Sequence, residues 1–96
     1  MDISIAKITD TSQEIVRKID ELNDRAWSVH ITQPNVGLEL SNKAKKLAEE
    51  VFYQKGVAYA IRNMGVSHRY LSNLETALSL SFQALDMFVQ IGEKSG

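Results

Sequence analysis

The stretch GLELSNKAKKLAEEVFYQKG (residues 37–56) decides the fold once it is laid over ALSLSFQALDMFVQIGEKSG (residues 77–96). Leu38, Leu40, Ser41, Ala44 and Gly56 return forty residues later as Leu78, Leu80, Ser81, Ala84 and Gly96. Between these identities the exchanges are conservative: Gly37 with Ala77, Leu47 with Met87, Val51 with Ile91. A helix-rich chain that repeats at this period is a stack of helix pairs, each burying its neighbour's apolar face. The second copy stops at Gly96, where a third would begin, so the expectation is a binding scaffold cut from a longer array.

Working outward, the first copy carries Leu38, Leu40, Ala44, Leu47, Ala48 and Val51 on one side of a helix. Glu39, Lys43, Lys45, Lys46, Glu49 and Glu50 lie mostly on the other and read as a solvated face. The second copy is expected to bury Leu74, Ala77, Leu78, Leu80, Ala84, Leu85, Phe88 and Ile91. Upstream, Thr11-x-x-Glu14 has capping-box spacing and precedes Ile15, Ile19, Leu22, Ala26 and Val29 at helical steps. Pro34, the only proline, suits the first turn of the next helix. A third helix is expected from about Val57 to Leu71, with Gly56 as a left-handed exit or close turn before it. Ser72-x-x-Glu75 is a second capping-box candidate, and Trp27 is expected to pack on Pro34 or the N-terminal segment. Strand signals are nearly absent. The class is all-α: antiparallel helix hairpins, about four helices in all. Residues 1–10 are an arm whose conformation the sequence leaves open. Residues 11–55 and 56–92 form the two units, and 93–96 begin the next.

Ninety-six residues make one domain with a modest core. An apolar content of 44% argues for a folded chain, and 11 basic against 12 acidic residues argue against a nucleic-acid surface. No apolar run approaches the roughly 20 residues that span a bilayer. No signal peptide is expected, and cytoplasm is the default location. Zero cysteines exclude disulfides and thiolate metal sites.

These residues closely resemble the tetratricopeptide repeat, over roughly residues 13–96. Met64-Gly65 fits the positions where a small residue after a large aliphatic lets the two helices of a repeat approach. Ala77 and Ala84 fit the two alanines of the second helix. Ser81, with Phe82 beside it, departs from the family's usual aromatic. The resemblance implies a right-handed superhelix that grips peptides or partner helices. The longer, forty-residue form of the unit is similar to regions preceding bacterial cyclases, histidine kinases and response regulators.

In such repeats the first helix of each pair lines the groove. Transferring those positions selects Tyr59, Arg62, Asn63, Val66, Arg69 and Tyr70 from the second unit, and Asn23, Ala26 and His30 with neighbouring aliphatics from the first. Asn23 and Asn63, forty apart, are expected to stack on one wall. Two readings follow for them: with Arg62 and Arg69 they bind a carboxylate or peptide backbone, or they bridge neighbouring helices. His30 and His68 have no partners at ligand spacing, so no metal is expected. No phosphate loop, nucleophile elbow or His-Glu-x-x-His occurs, so neither catalysis nor a cofactor is expected. The expected partner is a protein or peptide. A homodimer is also expected, because Leu78, Leu85 and Phe88 would be left partly bare on the last helix.

Overall fold

The computed structural model describes residues 3–95, with side chains described for 12–92. It consists of four α-helices: α1 (Ile3–Val29), α2 (Pro34–Glu50), α3 (Gln54–Tyr70) and α4 (Leu74–Ser95). No strand occurs among the described residues, so the chain is all-α. Connections of three or four residues force consecutive helices to run antiparallel. Among the described residues no helix is long and apolar enough to cross a membrane.

The helix starts at Pro34, Gln54 and Leu74 are 20 residues apart, so the forty-residue echo is two helix-plus-turn units. Backbone hydrogen bonds close the last two turns identically. The Tyr53 N–H donates to the Ala48 carbonyl at 2.8 Å, and the Asn73 N–H to the His68 carbonyl at 2.9 Å. Phe52 and Ser72 donate to Glu49 and Arg69 at 3.3 and 3.1 Å. This is the Schellman ending, with one left-handed residue just past the helix. Phe52 (φ 56°) and Ser72 (φ 68°) hold that position, which ordinarily favours glycine. Gly56, expected as the exit, instead sits inside α3, and no described glycine has positive φ. Phe52 is 89% exposed, so its ring gains almost nothing there. Phe52→Gly is therefore expected to stabilise the fold by roughly 0.5–1 kcal/mol, read as a higher urea midpoint. An unchanged or lower midpoint would show that the exposed ring contributes more than its backbone costs.

Two further expectations change. Thr11 lies within α1, which begins at Ile3, so Thr11-x-x-Glu14 caps nothing and residues 3–10 before it are helical. Ser72 is the left-handed turn residue, and Asn73 takes the cap position, its carbonyl accepting from the Ala77 N–H at 2.9 Å. Gly96 lies outside the described residues.

Packing follows from small side chains. Ile19, Leu22 and Ala26 of α1 meet Leu40, Ala44 and Ala48 of α2 and Ala60 of α3 in one cluster. Ile61, Ala77 and Ala84 are buried farther along the stack. A Cβ on Gly37 would come within 2.5 Å of Ser67 Oγ, and one on Gly65 within 3.3 Å of Ser81 Oγ. Glycine at both places lets the backbones approach closely. The larger buried aliphatics, Ile19, Leu22, Leu40 and Ile61, each contribute about 1.5–3 kcal/mol of apolar stabilisation. α3 is the hub: it packs on α2, α4 and α1, whereas α4 touches α3 alone. Leu78 and Leu85 consequently face outward, as expected of a last helix, and Leu74, expected in the core, does too.

Candidate partner-binding cleft

Because α3 lies beside both α1 and α2, the α1 and α3 faces away from α2 form a cleft of about 440 Å³. From α1 it is lined by Asp20, Asn23, Asp24 and Trp27. The other wall is Tyr53, at the cap of α3, with Lys55, Tyr59 and Arg62.

Planar side chains run along this cleft in unbroken contact. The Phe88 ring of α4 meets Tyr59 edge-on at 5.0 Å between centroids. The Arg62 guanidinium lies 4.8 Å from the Tyr59 ring and 4.3 Å from the Trp27 ring. Trp27 meets His30 at 4.4 Å, and His30 meets Tyr70 at 5.6 Å. A guanidinium held between two aromatic faces is stabilised by both ring quadrupoles. Burial lowers the Arg62 pKa from its ordinary value, while Tyr59 and Asp24 nearby raise it. Its Nε and Nη2 both donate to Asn63 Oδ1, at 3.3 and 3.0 Å, which fixes the plane. At the mouth, the Tyr53 hydroxyl donates to Asp20 Oδ1 at 2.8 Å. Burial first, and that bond second, push the Tyr53 pKa up to about 12.

Beneath the ladder lies an amide relay. Asn63 Nδ2 donates to the Asn23 carbonyl at 3.0 Å and to Asn23 Oδ1 at 3.2 Å. Asn23 Nδ2 in turn donates to the Gly56 carbonyl at 3.1 Å. The two asparagines do meet, as their spacing predicts, but both are buried and their groups join α1 to α3. Asn23 and Asn63 are thus inter-helix bridges and offer a partner almost no surface. The same correction applies to Ala26, which is core, and to His30. The His30 Nδ1–H is committed to the Trp27 carbonyl and its ring lies between Trp27 and Tyr70. His68 Nδ1 accepts from Asn73 Nδ2 at 3.1 Å, at the other end of α3 from the Tyr53 cap.

Of the remaining positions, Tyr59, Arg62 and Tyr70 belong to the ladder. Val66 and Arg69 line a separate shallow hollow between α3 and α4, with Leu74 and Leu78. Phe88 is half-buried against Tyr59 inside the α3–α4 contact, not on the bare side of α4. Sequence reading missed Trp27, Asp20, Asp24, Tyr53 and Lys55 as cleft residues. Trp27 was findable, because it sits one helical turn after Asn23 on the same face. Trp27 is 45% exposed and packs on Arg62 and His30. No protein-family model, curated protein or solved structure matches this chain.

Proposed function

We propose that the chain is a non-catalytic protein-interaction module of tetratricopeptide-repeat type that grips a peptide or helix of a partner in the α1–α3 cleft. The observation that carries this reading is the ladder through Tyr59, Arg62 and Trp27, with Trp27 exposed and the other two partly buried along the cleft wall. Tyr, Trp and Arg are the residue types that dominate interface hot spots, because they bury large area at low entropic cost. Arg62 is already oriented by Asn63, so little ordering remains to oppose binding. Asp20 and Asp24 on one wall and Lys55 and Arg62 on the other suit a segment carrying both charge signs. The resemblance of residues 13–96 to repeats that precede signalling outputs supports a regulatory scaffold in the cytoplasm of a bacterium.

Trp27 is the only tryptophan, so its emission reports on the cleft directly. Peptides selected from a random dodecapeptide display library against this protein are expected to shift Trp27 emission. Arg62→Ala is expected to weaken them at least about tenfold, a loss of about 1.4 kcal/mol, with helix content unchanged. Selected peptides that bind Arg62→Ala and Tyr59→Ala as tightly as the native chain would sink the reading.

A further inference from the structure

The outward side of α4 carries Leu74, Leu78, Phe82, Leu85 and Val89, each between 49% and 65% exposed. At about 100° per residue these five fall within a stripe roughly 80° wide. Their exposed area sums to roughly 500 Å², the size of the largest apolar patch on an ordinary monomer and often an interaction site. Among the described residues only α3 touches α4, at the edge of the stripe beside Leu74 and Leu78, and no other helix covers it.

We infer that this stripe pairs two copies of the chain, α4 against α4, antiparallel about a two-fold axis beside Phe82. Three observations point there. The outer face of α1 carries Arg17, Lys18, Glu21 and Arg25, and that of α2 carries Lys43, Lys46 and Glu50. Among the described residues neither face offers an apolar surface for the stripe, so head-to-tail stacking leaves it unmatched there, whereas a second α4 matches it. The spacing is also a palindrome centred between Ser81 and Phe82. In that register Leu74 meets Val89 of the other copy, Leu78 meets Leu85, and the two Phe82 rings flank the axis. A two-fold contact is self-complementary by construction, so each apolar residue finds another. Finally, two stripes bury roughly 1,000 Å² before their flanks are counted, which reaches the lower range of specific interfaces.

The rim sharpens the inference. Glu75 and Asp86 flank the stripe on one side, where Asp86 Oδ2 accepts from Gln90 Nε2 at 3.3 Å. The two-fold sets this rim beside its own copy, carboxylates facing carboxylates. Salt screens that repulsion, so the dimer tightens as ionic strength rises.

The chain has no cysteine, which makes single-cysteine cross-linking clean. Phe82→Cys is expected to form an intermolecular disulfide with itself, and a mixture of Leu78→Cys and Leu85→Cys to form the mixed one. Leu74→Cys alone is expected to stay reduced, because in this register it lies about 22 Å from its own copy. By sedimentation the native chain is expected to be dimeric at tens of micromolar and to dissociate several-fold less readily at 0.5 M than at 0.05 M NaCl. Leu85→Glu should raise the dissociation constant at least about tenfold with helicity unchanged. A native chain that stays monomeric to 100 µM, self-linking by Leu74→Cys, or a dimer that loosens in salt would each overturn the proposal. The stripe is separate from the cleft, so Leu85→Glu leaves Trp27-detected peptide binding intact, and the two assignments can fail independently.

Discussion

Asn63→Ala is expected to lower the unfolding free energy by about 2–4 kcal/mol, the largest loss from any single polar truncation in the chain. The side chain is fully buried and makes every hydrogen bond its amide nitrogen can reach in the α1–α3 seam. Removing it strips the donor from Asn23 Oδ1, which cannot turn to water because Asn23 is itself buried and tied to Gly56. A cavity is added to that desolvation cost, because the position is fully buried. In a domain of this size the loss corresponds to a fall of roughly 10–25 °C in Tm. Asn63→Asp should do no better. It keeps the volume but presents a carboxylate to two acceptors, the Asn23 carbonyl and Oδ1. Urea unfolding followed by helix content checks both variants. A loss below about 1 kcal/mol for Asn63→Ala would mean that the relay is incidental to the seam. Asn63 is accordingly a poor probe of partner binding, and Arg62, which lies over it, is the proper one.

The contrast between those neighbours shows what the sequence makes legible. Helical periodicity gave the class and the number of helices, because apolar side chains at three- and four-residue steps have one solution. The forty-residue spacing of Asn23 and Asn63 correctly brought them together, since equivalent positions of stacked units are adjacent. Which side of the wall they faced was not legible: an amide that bridges helices and one that greets a peptide have the same spacing. Helix ends were misread for a physical reason. Glycine normally marks a left-handed exit, and here Phe52 and Ser72 occupy it while Gly56 and Gly92 lie inside helices. On α4 the spacing marks Leu78 and Leu85 as bare but places Leu74 in the core and Phe88 on the bare side, for a related reason. Amphipathic spacing shows that a face is apolar, and only the neighbouring helices decide whether it is covered.

Gly56→Ala tests the same seam from the opposite direction, with local propensity and packing predicting opposite signs. Alanine in a helix interior is favoured over glycine by about 1 kcal/mol. At Gly56, however, the added Cβ would lie 2.6 Å from Tyr53 Cδ2, 2.9 Å from Tyr53 Cε2 and 2.9 Å from Ile19 Cγ2. Ile19 is fully buried and cannot retreat, and the Tyr53 ring is held at one end by the turn and at the other by Asp20. Overpacking against fixed neighbours outweighs the propensity gain, so a net loss of about 1–3 kcal/mol is expected. The strain is directed at the cleft, because Tyr53 and Asp20 form its mouth and the Gly56 carbonyl anchors the amide relay. Trp27 emission should therefore shift in the folded variant as well. Gly92→Ala is the control: nothing lies within 4 Å of its would-be Cβ, so the same exchange should stabilise by up to about 1 kcal/mol. Tyr53→Ala removes the ring that the new methyl strikes. The double variant with Gly56→Ala should then be more stable than the sum of the two single losses, by at least about 1 kcal/mol. Strict additivity, measured in urea, would place the clash elsewhere and leave the close approach of α3 to α1 unexplained by Tyr53.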